Sequence, residues 1–113
     1  MTRAKVVLVP FPFDDLSAAK VRPAVCLTDP IGLHHHVILA FITSRIPADV
    51  LDTDVVLDAS HAAFVSTRLR VSSTLRLHRL LTATTSLIQR EMGELSPALQ
   101  TEAANRLCKL FRR

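Results

Sequence analysis

Short apolar runs separated by turn-forming residues dominate the first half of the chain. Lys5–Val9, Pro23–Thr28 and His36–Thr43 are rich in β-branched and aliphatic residues, and each predicts a buried strand. The segment Asp29-Pro30-Ile31-Gly32 has proline and glycine where a tight turn favours them. The second and third strands are therefore expected to form a hairpin.

The second half predicts more short strands, followed by one helix. The expected strands are Val55–Leu57, Leu69–Val71, Thr74–Leu77 and Leu80–Thr82. Residues 60–67 are expected to be irregular or briefly helical, and residues 85–92 are ambiguous in their secondary structure. Ser96 suits an N-cap and Pro97 the first helical position, and apolar residues recur at helical spacing after them. A helix is therefore expected from Pro97 to the end of the chain.

The order of these elements limits the fold class. Strands do not alternate with helices, so a doubly wound parallel sheet is not expected. The pattern predicts a mainly β protein in which a small antiparallel barrel packs against the C-terminal helix. A length of 113 residues with 49% hydrophobic residues suits a single domain over residues 1–113.

Charge is unevenly distributed along the chain, which carries a formal net charge of +4. No acidic residue occurs between Asp58 and Glu91. That interval contains Arg68, Arg70, Arg76, Arg79 and Arg90. Such a stretch suits a polyanionic partner, either nucleic acid or an acidic protein segment, although a solvated basic face would have the same composition.

Cys26 and Cys108 lie far apart in sequence and in apolar surroundings, which predicts two reduced core residues rather than a disulfide. No apolar run reaches the length of a signal sequence or of a membrane-spanning helix. We therefore expect a soluble, cytoplasmic protein that does not interact with membranes.

Five segments carry motifs in a fixed order. They are "VVLVPFPF" (Val6–Phe13), "KVRPAVCLT" (Lys20–Thr28), "VILAFITSR" (Val37–Arg45), "STLRLHRLLT" (Ser73–Thr82) and "SLIQREMGELS" (Ser86–Ser96). Together they resemble the MazF/PemK family of toxins from bacterial toxin–antitoxin pairs. The resemblance implies an SH3-like antiparallel barrel with a C-terminal helix, a homodimer and a cognate acidic antitoxin. It also implies an endoribonuclease that cuts single-stranded mRNA without metal or cofactor, leaving 2′,3′-cyclic phosphate and 5′-hydroxyl ends.

Arg22 is the leading catalytic candidate under this resemblance. It precedes a proline, which favours an extended backbone, and its guanidinium can bind phosphate through two parallel hydrogen bonds. A fixed cation would stabilise the crowded phosphorane of a metal-free cleavage. From composition alone, a surface salt bridge to Asp14 or Asp15 is the simpler interpretation.

Three further residues complete the predicted catalytic set. Thr43 ends the third strand, where a hydroxyl can orient phosphate oxygens or cap the strand, and the resemblance implies the catalytic role. Arg76 and His78 stand two apart on a predicted strand, so alternation places them on one face. Some relatives carry Arg-x-Asp there. His78 therefore either preserves acid–base chemistry or marks a branch in which this position is idle.

The segment from Pro10 to Ala19 is expected to form a loop, because prolines interrupt a strand ladder. We expect this loop to arch over the phosphate site, with its phenylalanines stacking on RNA bases or packing beneath the loop. The predicted RNA contacts are Phe11, Phe13, Lys20, Ser44 and Arg79. His34, His35 and His36 would alternate faces along a strand, so no metal site is expected there.

Two departures from the family pattern keep an alternative open. Many relatives have Gly-Asp or Gly-Glu where this chain has Ala4-Lys5, and many have glycine where it has Arg68. Losing the second glycine is expected to remove a backbone conformation with positive φ. The alternative is a catalytically inactive or protein-targeting member, since relatives with the same barrel poison DNA gyrase.

Overall fold

The computed structural model describes residues 2–11 and 20–112, and for Phe11 and Lys20 it describes the backbone. The strands are β1 (Lys5–Phe11), β2 (Lys20–Cys26), β3 (His36–Thr43), β4 (Asp54–Leu57), β5 (Ser73–Thr84) and β6 (Arg90–Glu94). Two short 3₁₀ helices cover Ala62–Thr67 and Thr85–Leu87, and helix α1 covers Pro97–Phe111.

The six strands form one antiparallel sheet in the order β4-β5-β3-β2-β1-β6. The sheet curls into a half-barrel, with β4 and β6 as its outer strands and α1 packed against one face. The predicted class, a mainly β antiparallel barrel with a C-terminal helix, is confirmed. The predicted hairpin of β2 and β3 is also confirmed.

Helix α1 begins where the sequence predicts. The Ser96 side chain accepts a hydrogen bond from the backbone N–H of Leu99, and Pro97 occupies the first turn, where its missing N–H costs nothing. No helix within the described residues has the length and apolarity that spanning a bilayer requires.

Several predicted boundaries were wrong for identifiable reasons. Leu69–Val71 is not a strand, while Thr74–Leu77 and Leu80–Thr82 belong to one long strand, β5. Strand β2 begins at Lys20, before the predicted Pro23. Strand β1 continues through Pro10, which pairs with Val21 of β2. On the other side of β1, pairing with β6 extends only as far as Leu8. The missing N–H of Pro10 therefore interrupts no hydrogen bond to β6.

Both faces of the sheet are buried, in two apolar clusters. The helix-side core lies under α1 and the first 3₁₀ helix; its buried members are Ala4, Val6, Val25, Ala40, Ile42, Val55, Leu57, Phe64, Leu75, Leu77, Leu95 and Ala103. The opposite core consists of Val7, Val9, Ala24, Cys26, Val37, Leu39, Phe41 and Ala83. Burial on both faces explains why β3 is a continuous apolar run instead of an alternating one.

The two cysteines lie in different environments, and neither forms a disulfide. Cys26 is buried, as predicted, and burial together with the charge of Glu91 raises the pKa of its thiol to about 11. Cys108 is exposed on α1, so its prediction as a core residue was wrong: it lies on a helical face turned away from the sheet.

The two outer strands of the half-barrel approach each other through the first 3₁₀ helix. This helix follows β4 in the chain and packs against β6, where the Ser66 hydroxyl donates a hydrogen bond of 2.9 Å to the Glu94 carbonyl. Gly93 permits the approach, because a Cβ there would lie 2.8 Å from the Thr67 carbonyl carbon and oxygen. The first 3₁₀ helix therefore closes the open side of the sheet.

Three described residues other than glycine adopt a left-handed backbone: Ala4, His35 and Arg68. Ala4 has a φ of 71° and Arg68 a φ of 61°. The positive φ that was expected to be lost where Arg68 stands in place of the relatives' glycine is therefore retained. Arg68 ends the first 3₁₀ helix, and its N–H donates to the Val65 carbonyl. The conformation therefore lies at the end of the 3₁₀ helix that packs against β6.

We expect Gly93→Ala to destabilise the protein by about 1–3 kcal/mol, since the added methyl group meets rigid backbone. Chemical denaturation measures the change. Arg90→Ala, on an exposed position of the same strand, is the control and should stay within about 0.5 kcal/mol of the wild type. Equal stability of Gly93→Ala and wild type would contradict the close approach.

We expect Arg68→Gly to stabilise the protein by about 1 kcal/mol, because glycine adopts positive φ without steric cost. The same change at Arg70, which is also exposed but has no positive φ, should destabilise it through the entropy of the unfolded chain. In thermal unfolding, the melting temperature should rise above that of the wild type for Arg68→Gly and fall below it for Arg70→Gly.

Candidate functional site

Arg22 and Thr43 lie on the same face of the sheet at one end of the β2–β3 pair. The ladder pairs Ala24 with Phe41, and both strands continue past this pair. Two residues further along each strand come Arg22 and Thr43, which the continued register places opposite each other. Both side chains are half-buried, so they border solvent.

Arg76 belongs to the same face. It pairs with Phe41 in the β3–β5 ladder, while Thr43 pairs with Thr74. Arg76 and Thr43 are therefore diagonal neighbours, a relation that places side chains about 7–8 Å apart. The structure thus brings three of the four predicted catalytic residues, Arg22, Thr43 and Arg76, to one region, which we call the Arg22 face.

Arg76 has a buried partner that the sequence analysis missed. Its Nε donates to Asp54 Oδ1 at 3.0 Å and its Nη2 to Asp54 Oδ2 at 3.3 Å. The Asp54 side chain is 0% exposed and that of Arg76 is 24% exposed. Asp54 Oδ2 also accepts the Leu51 N–H at 2.9 Å. This carboxylate therefore fixes the orientation of the guanidinium.

The sequence signal for Asp54 is its position directly before the apolar residues Val55–Leu57. An acidic residue at the start of an apolar strand can direct its side chain into the protein interior. Asp54 pairs with Arg76 across β4 and β5, so the two charges meet in the ladder itself. That pairing depends on the β4–β5 register, which the sequence pattern did not provide.

His78 lies in an irregular part of β5, where the alternation argument that pairs it with Arg76 does not apply directly. Ala40 pairs with Leu80 and the next residue, Phe41, pairs with Arg76, so β5 contains a bulge of three residues that includes His78. His78 Nδ1 lies 3.1 Å from the Thr53 hydroxyl. Thr53 lies in the turn directly before β4, so this contact places His78 beside the start of that strand. A catalytic role for His78 stays a prediction.

The predicted RNA contacts are only partly located. Ser44 is exposed directly after Thr43, and Arg79 is exposed in the bulge of β5. For Phe11 and Lys20 the backbone positions, at the adjoining ends of β1 and β2, are described. Phe13 lies outside the described residues, as does the expected arch over the site. Their RNA contacts stay predictions.

The segment after Thr43 is held in place by a neighbouring strand. The Thr74 hydroxyl, which is fully buried, donates to the Arg45 carbonyl at 2.9 Å. This hydrogen bond fixes the backbone beside Ser44. Within the described residues, no group of three or more His, Cys, Asp and Glu side chains could hold a metal ion.

Comparison with protein families assigns the chain. Residues 2–111 match the family model described as PemK-like, MazF-like toxin of type II toxin–antitoxin system. The chain belongs to this toxin family. No curated protein matches it by sequence comparison.

Solved structures share the fold of this toxin at low sequence identity. The Mycobacterium tuberculosis toxin MazF-mt6 is 20% identical with a TM-score of 0.72, and the alignment covers 96% of each chain. A mycobacterial endoribonuclease in complex with its cognate antitoxin is 14% identical with a TM-score of 0.72, covering 98% of this chain and 94% of that one. A mycobacterial endoribonuclease is 16% identical with a TM-score of 0.70, covering 98% and 90%.

The Arg76–Asp54 pair gives a prediction about stability. Removing one partner leaves a buried charge, so Arg76→Met or Asp54→Leu alone should cost about 3–5 kcal/mol. The double variant Asp54→Leu/Arg76→Met replaces the pair with apolar groups and should recover most of that loss. Denaturant unfolding of the four proteins completes a double-mutant cycle, and additive losses would contradict the pairing.

Proposed function

We propose that this toxin is a metal-independent endoribonuclease that cleaves single-stranded mRNA at short specific sequences. The observation that carries the proposal is the assembly of Arg22, Thr43 and Arg76 on one solvent-bordering face, in a chain of the PemK-like, MazF-like family. Solved structures with the same fold are named endoribonucleases, which supports the same reaction class.

The proposed reaction is an internal transesterification. The ribose 2′-oxygen attacks the adjacent phosphorus and loses its proton to a base. The bond between phosphorus and the 5′-oxygen breaks, and this oxygen takes up a proton from an acid. The products are a 2′,3′-cyclic phosphate and a 5′-hydroxyl. No water, electron or metal ion is consumed, so positioned charges and hydrogen bonds are the catalytic means.

Arg22 suits the phosphorane, in which negative charge accumulates on the non-bridging oxygens. Its position directly before Pro23 restricts its backbone to the extended region, and the ladder pairs it with Val9. A cation held this way needs little rearrangement when the charge develops. Thr43 adds a neutral donor on the facing strand, so two strands act on one phosphate.

Arg76 is proposed as a second cation, oriented by Asp54. The ion pair uses Nε and Nη2. The other terminal nitrogen, Nη1, is then available to a phosphate oxygen. The charge of Asp54 offsets that of Arg76. Arg76 is therefore expected to orient the phosphate by hydrogen bonding more than to stabilise its negative charge. Arg22 is therefore expected to contribute the larger part of the rate.

The proposed partners follow from charge and from the relatives. A net charge of +4 and the exposed Arg68, Arg70 and Arg79 suit RNA and an acidic antitoxin alike. One structural neighbour was solved with its cognate antitoxin, which supports an antitoxin for this toxin. We also propose a homodimer, which analytical ultracentrifugation of the purified protein would test.

RNA cleavage in the presence of EDTA tests the proposal directly. We expect wild-type protein, freed of antitoxin, to cut a long single-stranded RNA at selected sites with 2′,3′-cyclic phosphate ends. Arg22→Ala should lose on the order of 10²–10³ in rate, and Thr43→Val should lose activity without unfolding. Arg3→Ala, an exposed arginine away from the Arg22 face, is the control. No cleavage by folded wild-type protein would leave a binding protein on the same scaffold.

Two further variants separate chemistry from structure. Asp54→Leu/Arg76→Met removes the guanidinium while keeping the fold, so it should cleave slowly if Arg76 binds phosphate and normally if the pair is only structural. His78→Gln should reduce the rate by about 10²–10⁴ if His78 is an acid or base. An unchanged rate would mean that the contact with Thr53 is its role.

A further inference from the structure

The tip of the β2–β3 hairpin carries His34, His35 and His36, which the proposed reaction does not use. The alternation argument against a metal site assumed a regular strand. In the structure, residues 32–35 form a turn, and His35 adopts a left-handed backbone with φ of 54°. The imidazole rings of His34 and His36 therefore come close, with centroids 5.9 Å apart and planes inclined by 37°.

The backbone that carries these two rings is held firmly. Ile31 and His36 exchange two hydrogen bonds, of 2.7 and 3.1 Å, across the base of the turn. The His35 N–H donates to the Gly32 carbonyl at 3.2 Å, and the His35 carbonyl accepts the Thr85 N–H at 3.0 Å. Because this backbone is already ordered, binding a ligand costs little free energy for ordering the turn.

We propose that His34 and His36 form a two-histidine site for a transition-metal ion such as Cu²⁺, Ni²⁺ or Zn²⁺. Imidazole nitrogens bind zinc at about 2.0–2.1 Å, so two rings on one tetrahedral ion have centroids about 5 Å apart. The observed 5.9 Å is within about 1 Å of this separation, a difference that small rotations of the exposed side chains can close. Both rings are exposed, so water can complete the coordination.

The chemistry of the site favours these ions over Mg²⁺ and Ca²⁺. Mg²⁺ and Ca²⁺ require oxygen ligands, whereas neutral imidazole suits copper, nickel and zinc. Two protein ligands give a modest affinity that should follow the usual order, with Cu²⁺ bound more tightly than Ni²⁺ or Zn²⁺. The site is independent of the proposed cleavage. His36 begins β3 and Thr43 ends it, a separation of about 23 Å along the strand.

Calorimetric titration of the untagged protein with ZnCl₂ and NiCl₂ tests the site. We expect saturable binding of one ion, weakened about tenfold or more in His34→Asn and in His36→Asn. His35→Asn is the matched control within the same turn, and its affinity should stay within about twofold of the wild type. Cys108→Ser, which removes the exposed thiol, should also leave binding unchanged.

Nuclear magnetic resonance locates the ion independently of affinity. On addition of Zn²⁺, the side-chain nitrogen signals of His34 and His36 should shift together, while those of His61 stay in place. Absence of saturable binding, or an equal loss in His35→Asn, would overturn the proposal. Cleavage of RNA in EDTA should be the same for His34→Asn as for wild type, so failure of this site and failure of the proposed function are distinguishable.

Discussion

The sharing of one long strand between two ladders is the constraint on which the structure depends. Strand β5 pairs with β3 on one side and with β4 on the other, and Arg76 takes part in both ladders at once. Immediately after Arg76 the register with β3 shifts through a bulge of three residues. Bulges increase local twist and bend a strand, so this shift curls the sheet. The buried charge of Asp54 occurs at the same crossing, where it joins β4 to β5 through a side chain as well as through the backbone.

The parts of the fold that the sequence predicted well are those with a local cause. The bounds of β3 follow from one uninterrupted apolar run, and helix α1 follows from Ser96 and Pro97. Strand β5 was divided into pieces, because His78 and Arg79 break its apolar pattern and only the tertiary register reveals a bulge there. Strand β6 had no readable pattern, because its five residues lie on an outer strand and carry charges at both ends.

The candidate site shows the same division. Arg22, Thr43 and Arg76 were identified from motifs, and the ladders bring them to one face because they occupy matching positions on β2, β3 and β5. Their partners were not identified, since Asp54 reaches Arg76 and Thr53 reaches His78 only through the β4–β5 pairing. The left-handed residues Ala4, His35 and Arg68 were equally invisible, because no side-chain pattern marks a positive φ at a residue other than glycine.

The pairing of β1 with β6 has a consequence for the order of events during synthesis. Lys5 pairs with Glu94, so β1 completes its second ladder only after the chain has been made as far as Glu94. Contacts of such long sequence separation form late and slowly, because the intervening chain must first be ordered. A nascent chain of this toxin therefore cannot close its half-barrel or seat its helix. The side of β1 that faces β6 consequently stays unpaired until the β6 residues have been made.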